Sequence, residues 1–207
     1  MIAVLDYGMG NLRSVEKAFE HVGAEVVRTS DAGVAADADG LVLPGVGAFA
    51  RAMERIRELG LDRLIADKVA AGTPVLGVCL GYQLLFDSSN ELGGAEGLGL
   101  IEGPVDGLRA GDLKVPHIGW EPVELTRESD LTAGVDDGTP FYFVHGFTPR
   151  PAHDEDVLGY ATHGERFACA IARPPLYGVQ FHPEKSSAAG LRLLANFVSI
   201  CVPVAAQ

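Results

Sequence analysis

Short, largely apolar segments alternate with amphipathic ones through the N-terminal half of the chain. The segments of strand-like length and composition are Ile2–Leu5, Glu25–Arg28, Gly40–Leu43 and Val75–Val78. The segments with helical spacing are Asn11–Val22, Ala48–Leu59, Asp62 to Ala71 and Leu80–Asp87. This alternation predicts a parallel sheet covered by helices on both faces. Ligands of such folds bind at the carboxyl ends of the strands.

The C-terminal half is richer in strands. The segments predicted as strands there are Leu98–Ile101, Val123–Leu125, Pro140–Val144, Val157–Thr162, Ala168–Ala172 and Leu176–Gln180. A last helix is predicted over Ala188–Ile200, and the polar segments Glu128–Thr139 and Arg150–Asp156 are predicted loops. No linker or repeat divides the 207 residues. We therefore expect residues 1–207 to form a single α/β domain, with additional antiparallel strands beside a largely parallel central sheet.

Charge and cysteine usage exclude several classes of protein. Lys and Arg number 16 against 28 Asp and Glu, a net charge of −12, which argues against nucleic acid or an anionic membrane as a partner. The three cysteines have neither metal-ligand spacing nor an even count, so we expect no disulfide framework. No cluster of His, Cys and Asp has ligand spacing, so we expect no metal site, and we expect no cofactor. Met1–Asp6 is too short an apolar start for a signal peptide, and no apolar run is long enough to span a bilayer. A soluble, cytoplasmic protein is expected.

Cys79 lies between two glycines at the junction of a predicted strand and a predicted helix. The run Gly77-Val78-Cys79-Leu80-Gly81 has the pattern of a nucleophile elbow, in which glycines allow a sharp turn that exposes the central side chain. His182 could take the thiol proton, and Glu184 could orient the imidazole. These three groups are what acyl transfer from an amide requires. A lone cysteine in an apolar strand is more often a core residue, but core packing needs no glycine on both sides.

A thiol that attacks an amide builds negative charge on the carbonyl oxygen. The backbone N–H of Leu80, within the elbow, could stabilise that charge. A second donor could come from Pro44-Gly45-Val46-Gly47, a turn that follows a predicted strand and should lie on the same edge of the sheet. A plain strand-to-helix turn is the alternative reading of this segment.

Other candidate residues carry weaker signals. The Asp6–Asn11 turn invites a phosphate-binding reading, but the third glycine of a dinucleotide fingerprint is missing. The remaining residues are assigned to structural roles: His117 and His145 as structural histidines, Trp120 as core, lid or interface, His21, His153 and His163 as surface or loop, and Cys169 and Cys201 as apolar core residues.

Taken together, these segments resemble the class I glutamine amidotransferases. The elbow, the Gly-Val-Gln-Phe-His-Pro-Glu run at 178–184 and the turn at 44–47 match signatures of that class. Within it, the chain looks most like the glutaminase subunits of imidazole glycerol phosphate synthase, in histidine biosynthesis. The segments that point to this branch are Asp6–Leu12, Pro44–Phe49, Pro116–Trp120 and His182–Ser186.

The resemblance implies roles for individual residues. Cys79 would attack the glutamine side-chain amide, His182 would shuttle the proton, and Glu184 would orient the histidine, giving glutamate and ammonia. The remaining roles are the oxyanion donors, Val46 and Leu80; the glutamine contacts, Gly45, Gln83, Glu91, Gly146 and Phe147; and the partner contacts, Asn11, Trp120 and Lys185.

The resemblance also implies a partner, a (β/α)8-barrel cyclase subunit that forms a heterodimer with the glutaminase. That subunit would use the ammonia to make imidazole glycerol phosphate and an aminoimidazole carboxamide ribotide. The glutaminase of this family is weak alone and is activated by the partner. Because a peptide between glycines can flip at low cost, the turn at 44–47 is the expected switch.

The chain departs from the usual pattern of the family in three places. Tyr82 replaces Met, Glu121 replaces Asn, and Gly146-Phe147 replaces a Ser/Thr-Tyr pair. Three other functions remain open: a glutaminase that feeds another synthase, a stand-alone cysteine hydrolase, and a binding subunit with an inactive site. The intact Cys79, His182 and Glu184 argue against the last of these.

Overall fold

The computed structural model describes residues 1–202. The strands are Ile2–Leu5 (β1), Val26–Thr29 (β2), Gly40–Leu43 (β3), Val75–Val78 (β4), Phe86–Ser89 (β5), Ala95–Glu96 (β6), Ile101–Gly107 (β7), His117–Pro122 (β8), Glu124–Leu125 (β9), Pro140–His145 (β10), Phe147–Pro149 (β11), Val157–His163 (β12), Glu165–Arg173 (β13) and Leu176–Val179 (β14). The α-helices are Leu12–His21 (α1), Ala32–Ala36 (α2), Phe49–Glu58 (α3), Leu61–Ala70 (α4), Leu80–Leu84 (α5) and Ser187–Cys201 (α6).

A central sheet of eight strands organises the molecule, in the order β2-β1-β3-β4-β14-β13-β12-β9. The first five strands of that order are parallel, and the last three add antiparallel pairs. Strands β1, β3, β4 and β14 are buried along their whole length, as expected for strands covered on both faces. The predicted α/β architecture is confirmed.

Two apolar cores lie on opposite faces of this sheet. One core contains Phe19 of α1 and Phe197 of α6, whose rings are 6.2 Å apart in an edge-to-face arrangement. The other contains Phe49 and Ile56 of α3 and Leu61 of α4. The alternate residues of each central strand enter different cores, because successive side chains of a strand point to opposite faces. No helix among the described residues is long and apolar enough to cross a membrane.

Two small sheets accompany the central one. Strands β8 and β10 form an antiparallel ribbon, and β11-β7-β5-β6 form a four-stranded sheet. No strand was predicted for β5, β6, β8 or β11. Strand β8 is a difficult case because it contains glycine and proline and is largely exposed on alternate residues.

The predicted helix Leu80–Asp87 is too long, and the predicted strand Leu98–Ile101 is misplaced. The helix ends at Leu84, and Phe86 begins β5. The backbone N–H groups of residues 97–101 donate to the carbonyl groups of residues 84–87, so this segment satisfies the end of the short helix instead of forming a strand. The strand begins at Ile101 and runs to Gly107. The other predicted strands and helices are confirmed, with ends that differ by a few residues.

Candidate active site

Cys79 lies at a sharp turn between β4 and α5. Its backbone has φ 54° and ψ −108°, in the positive-φ region that side chains rarely adopt. A Cβ atom on Gly77 would lie 2.7 Å from the Gly81 carbonyl oxygen, and one on Gly81 would collide with the Leu43 carbonyl. Both glycines are therefore required by close backbone approach. The turn places the thiol over the carboxyl end of the central sheet, as the elbow pattern predicts.

His182 reaches Cys79 from the neighbouring parallel strand. The Cys79 N–H donates to the Val179 carbonyl at 2.8 Å, which fixes β4 and β14 in register at the thiol. His182 is 1% exposed, and its Nδ1–H donates to Glu184 Oε1 at 2.8 Å. Its Nε2 is buried beside Cys79 and has no conventional hydrogen bond within residues 1–202. The structure thus brings Cys79, His182 and Glu184 together in the order that the sequence predicts.

The charges of this group support a protonated histidine. Burial favours the neutral imidazole, but the hydrogen bonds and charges of Cys79 and Glu184 outweigh it and raise the pKa of His182 to about 9. Burial of Glu184 favours its neutral form, yet the adjacent His182 and Asn11 hold the pKa of that carboxyl below its usual range. An imidazolium and a carboxylate therefore face each other beside the sulfur of Cys79 at neutral pH.

Asn11 has a second contact that the sequence did not indicate. Its Nδ2 donates to Glu184 Oε1 at 2.5 Å, so the same carboxylate oxygen is held by His182 and by Asn11. Asn11 has φ 74°, in the left-handed region that Asn tolerates better than most residues. A Gly-Asn pair after a strand is a signal for such a turn, but nothing local in the sequence points to a partner so far along the chain.

Gln180, which the sequence did not indicate, lies on the other side of the thiol. It is fully buried, and its Nε2 lies 3.8 Å from Cys79 Sγ, while the thiol also lies 3.7 Å from the Val144 carbonyl. Gln83 Nε2 donates to Gln180 Oε1 and to the Phe147 carbonyl, at 3.0 Å each. Both N–H groups of Gln83 Nε2 are therefore bonded within the protein, and Oε1 is the side-chain atom available to a substrate.

The two predicted oxyanion donors are not aimed at a common point. The Leu80 N–H donates to the Gly45 carbonyl at 3.3 Å. Because a trans peptide directs its C=O and N–H to opposite sides, the Val46 N–H points away from the thiol. Below this turn, the Tyr7 hydroxyl donates to the Pro44 carbonyl, and a Cβ atom on Gly45 would collide with that hydroxyl. The turn at 44–47 is thus held from beneath by a buried tyrosine.

A cavity of about 230 Å³ opens beside the thiol. Its lining residues are Val46, Gly47, Cys79, Leu80, Gln83, Glu91, Pro116, Val144, His145, Gly146 and Phe147. Four of the five predicted glutamine contacts are among them, and the fifth, Gly45, meets the site through its carbonyl. Glu91 Oε2 accepts from the Phe49 N–H at 2.7 Å, at the N-terminus of α3, which leaves its other oxygen for a ligand. The volume suits a small polar substrate such as an amino acid.

Tyr82, the first departure from the family pattern, packs inside the fold. It is fully buried, and its hydroxyl donates to the Ala168 carbonyl at 3.2 Å. A Cβ atom on Gly178 would collide with its ring, so the glycine of β14 makes room for it. This change leaves the cavity untouched.

The predicted partner contacts Trp120 and Lys185 form one exposed surface. Trp120 is 48% exposed, and its ring lies 5.8 Å from that of Tyr142. Lys185 Nζ lies 5.9 Å from the centre of the same tyrosine ring. Ile118, on the same side of β8, is 62% exposed. Asn11 lies at the edge of this surface, through its contact with Glu184. We call Ile118, Trp120, Tyr142 and Lys185 the ribbon face.

The two histidines assigned to structural roles are buried beside the cavity. His117 and His145 are paired across the β8–β10 ribbon, with His117 Nδ1 3.1 Å from His145 Nε2. Burial lowers the pKa of His145 to about 3 and, together with His163, lowers that of His117 to about 4. His163, predicted as a surface residue, is partly buried and stacks on His117 with ring centres 4.0 Å apart.

The remaining cysteines are buried free thiols, as predicted. Burial raises the pKa of Cys201 to about 12 and that of Cys169 further, so both are protonated at neutral pH. Neither resembles an activated nucleophile. Cys79 is therefore the thiol for which the fold provides a base, a carboxylate and a cavity.

Comparison with known proteins agrees with this geometry. The family model for class-I glutamine amidotransferases matches residues 3–201. The chain is 50% identical to the imidazole glycerol phosphate synthase subunit HisH of Moorella thermoacetica over 196 residues, covering 95% of this chain and 93% of the relative. It is 48% identical to the HisH subunit of Aquifex aeolicus, with 94% of each chain covered.

Solved structures show the same fold at lower identity. A crystal structure of a glutamine amidotransferase superposes with a TM-score of 0.76 at 20% identity, covering 97% of this chain and 98% of the other. The structure of PurLQS from Thermotoga maritima gives 0.73 at 16% identity, covering 96% and 97%. The chain belongs to the class-I glutamine amidotransferase family, in the branch of the HisH subunits of imidazole glycerol phosphate synthase.

Proposed function

We propose that this chain is the glutaminase subunit of an imidazole glycerol phosphate synthase. It hydrolyses glutamine to glutamate and ammonia and passes the ammonia to a cyclase subunit, in histidine biosynthesis. The observation that carries the proposal is the group Cys79, His182 and Glu184 beside a cavity of amino-acid size. The near-complete coverage of the HisH relatives supports the pathway. We also propose that residues 1–207 form one glutaminase domain that acts in the cytoplasm, where its free thiols stay reduced.

The reaction proceeds by two acyl transfers. Cys79 Sγ, whose proton is held by the His182 imidazolium, attacks the side-chain amide carbon of glutamine, and a tetrahedral intermediate forms with negative charge on oxygen. The His182 imidazolium gives its proton to the amide nitrogen, which leaves as ammonia, and a glutamyl thioester remains. Neutral His182 then takes a proton from water, the hydroxide attacks the thioester, and glutamate leaves. Glu184 holds the imidazole through Nδ1 during both steps.

The glutamine would lie with its amide over the thiol and its amino-acid head against Gln83, Glu91, Gly146 and Phe147. The carboxylate oxygen of Glu91 that is not bound to the Phe49 N–H would accept from the substrate ammonium. Gln83 Oε1 would accept from the same group. Because Gly146 has no side chain and the Phe147 carbonyl is held by His145 and Gln83, recognition here would rest on backbone groups.

The oxyanion site is closed in the resting conformation, which fits a glutaminase that depends on its partner. The Gly45 carbonyl occupies the position where the substrate oxygen would accept from Leu80. A flip of the Gly45–Val46 peptide would remove this carbonyl and present the Val46 N–H in its place. Two donors of this kind are worth several kcal/mol in the transition state, since one alone contributes about 2.7–4 kcal/mol.

The partner would be a (β/α)8-barrel cyclase bound at the ribbon face, so that ammonia passes directly between the subunits. An exposed tryptophan with neighbouring aromatic and basic side chains is typical of a protein interface. The ribbon face adjoins Asn11 and Glu184, so contact with a partner there reaches the catalytic group within a few residues. The net charge of −12 favours a protein partner over nucleic acid or an anionic membrane.

The proposal is tested by measuring glutamate release from glutamine by the purified chain, alone and with a candidate cyclase and its ribonucleotide substrate. We expect weak activity alone and strong stimulation in the complex, with none in the Cys79→Ala variant. High activity that ignores the cyclase would point to a glutaminase of another pathway. Absence of activity in both conditions would favour a different hydrolase or an inactive subunit.

A further inference from the structure

Three side chains from two strands converge beside the β8–β10 ribbon, next to the glutamine cavity. They are His117 and Glu121 of β8 and His163 at the end of β12. One ring nitrogen of each histidine and one carboxylate oxygen all lie within 4.8 Å of one another. His117 Nε2 lies 3.5 Å from Glu121 Oε1. His117 is 1% exposed, whereas the other two lie at the partly exposed rim.

The hydrogen bonds of the buried histidines fix where their protons are. His145 Nδ1 lies 2.9 Å from the Phe147 carbonyl, which can only accept, so His145 carries its proton on Nδ1. Its Nε2 is then bare and accepts from His117 Nδ1–H at 3.1 Å. A neutral imidazole carries one N–H, and His117 uses its own on Nδ1. His117 Nε2 therefore has a lone pair and no proton.

The other two groups, His163 and Glu121, also present hydrogen-bond acceptors. His163 Nε2 donates to the Lys114 carbonyl at 3.0 Å, so its Nδ1 is bare. Glu121 offers a carboxylate. Three hydrogen-bond acceptors thus face one another, and His117 Nε2 has no hydrogen-bond partner in residues 1–202. A buried acceptor turned toward a carboxylate is unfavourable unless a cation lies between them.

We propose that these residues form a site for a divalent transition metal of the zinc class, bound by His117 Nε2, His163 Nδ1 and the Glu121 carboxylate. Ligand atoms around tetrahedral zinc lie about 2.0–2.1 Å from the metal, which puts neighbouring ligands roughly 3.3 Å apart. The observed 3.5 Å between His117 and Glu121 is close to that value. Water would complete the four ligands.

The surroundings suit metal-bound histidines. Metal-ligating imidazoles usually donate their second N–H to a carbonyl or a similar acceptor, and both do so here, His117 to His145 and His163 to Lys114. The His117 and His163 rings are stacked with an interplanar angle of 16°, so His163 must tilt for its lone pair to reach a shared metal. Its place at the partly exposed rim leaves it room to do so.

A metal at this point would join the ribbon to the central sheet. Strand β8 belongs to the two-stranded sheet, whereas β12 belongs to the eight-stranded one. The ribbon also carries Trp120 on its outer face and His145 in the cavity lining. The metal would therefore stabilise the position of the cavity wall and of the ribbon face, without entering the chemistry at Cys79. This inference does not depend on the proposed function.

The test is metal binding by the whole chain, with Cys79→Ala as the parent so that the thiol beside His182 cannot bind zinc. Protein stripped with a chelator is titrated with Zn²⁺ against a chromogenic chelator, and with Co²⁺ while its visible absorption is recorded. We expect one metal per chain, a four-coordinate Co²⁺ spectrum and a rise in unfolding temperature with Zn²⁺. Absence of stoichiometric binding would overturn the proposal.

The ligands are tested at the rim, because replacing the buried His117 would test folding as much as binding. Loss of an outer partner typically weakens metal binding about 10–100-fold, so His163→Gln and Glu121→Gln, which remove direct ligands, should each weaken it by about 100-fold or more. His153→Gln is the matched control, since His153 is an exposed histidine 3.0 Å from Glu102 that belongs to no three-ligand group within residues 1–202. Equal affinity in all three variants would mean metal bound elsewhere and would overturn the assignment.

Discussion

The backbone N–H of Leu80 donates a hydrogen bond to the carbonyl oxygen of Gly45, 3.3 Å away. The donor that should stabilise the transition state is therefore engaged by the protein itself. The same hydrogen bond directs the Val46 N–H away from the thiol. The side chains of Cys79, His182 and Glu184 are thus in place, whereas the oxyanion site is closed. Rotation of one peptide, between Gly45 and Val46, would open it.

Restriction of that peptide should abolish stimulation. In Gly45→Ala, the new Cβ would collide with the Tyr7 hydroxyl, so the turn at 44–47 cannot keep its position. We expect glutaminase activity with the partner to fall by about 10²-fold or more, the effect of losing one oxyanion donor. The measurement is steady-state glutamate release in the complex.

A double variant separates this collision from a general loss of folding. Tyr7→Phe removes the hydroxyl that meets the new methyl group and also the hydrogen bond to Pro44. We expect Gly45→Ala with Tyr7→Phe to recover part of the activity lost in Gly45→Ala, a non-additive effect of adjacent residues. Additive losses would contradict the contact as the cause.

Loss of the nucleophile should be complete. Cys79→Ala removes the group that forms the thioester, and we expect glutamine hydrolysis to fall by about 10⁴-fold or more. The measurement is glutamate release with and without the partner. Cys201→Ala, which changes a buried thiol at the end of α6, should keep its activity because Cys201 packs against Gly40 at the start of β3, away from the carboxyl end of the sheet where Cys79 lies.

Asn11 should affect catalysis in the absence of any partner. Asn11→Ala removes the donor to Glu184 Oε1, a hydrogen bond to a charged group worth about 1.5–3 kcal/mol. We expect kcat of the isolated chain to fall about tenfold with little change in KM for glutamine, because the imidazole is held less firmly. Lys185→Ala is the comparison: it changes the ribbon face alone and should leave basal kcat unchanged. Equal kcat in both variants would make Asn11 a contact residue only.

Stability should decline toward alkaline pH. The pKa of His182 is about 9 in the folded chain and about 6.5 in an unfolded one, so the folded state keeps a proton that the unfolded state releases. The contribution is full below about pH 6.5, declines as pH rises and is lost above about pH 9. The measurement is the free energy of urea unfolding across this range. In Cys79→Ala, which removes one of the groups that raise this pKa, the decline should be shallower; equal slopes would contradict the coupling.

Trp120 should affect partner binding but not basal chemistry. Truncation of an exposed aromatic anchor at an interface costs about 2 kcal/mol, so Trp120→Ala should weaken the complex roughly 30-fold. Glutamate release by the isolated chain should stay the same. Val34→Ala is the matched control, because Val34 is also exposed, at 41%, but lies on α2 beside the edge strand β2. Equal weakening in both variants would exclude the ribbon face as the docking surface.

What could be predicted from the sequence was mainly local. The turn at Cys79 is specified by glycines two residues away on each side, and the central strands are specified by continuous apolar runs. Both features can therefore be predicted from the sequence alone. His182 and Glu184 are two residues apart and follow a strand, which suffices to propose them as a pair. These features depend on neighbours in sequence.

The contacts that escaped prediction join distant parts of the chain. Asn11 and Glu184, or Gln180 and Gln83, come together only when β14 enters the sheet beside β4. His163 was predicted as a surface residue, because nothing near it in sequence indicates that His117 stacks on it. The early end of α5 at Leu84 had a similar origin, since the carbonyls at its end are satisfied by residues more than ten positions later.

The neighbouring positions of β4 and β14 also determine when the chain can become active during its synthesis. During translation, Cys79 is synthesised directly after β4, whereas its base, His182, follows β14, the last strand of the central sheet. A nascent chain therefore carries the nucleophile long before it can remove the thiol proton. In the proposed function, loss of glutamine without a use for its ammonia is limited twice, first by the order of translation and afterwards by the Gly45 carbonyl that closes the oxyanion site.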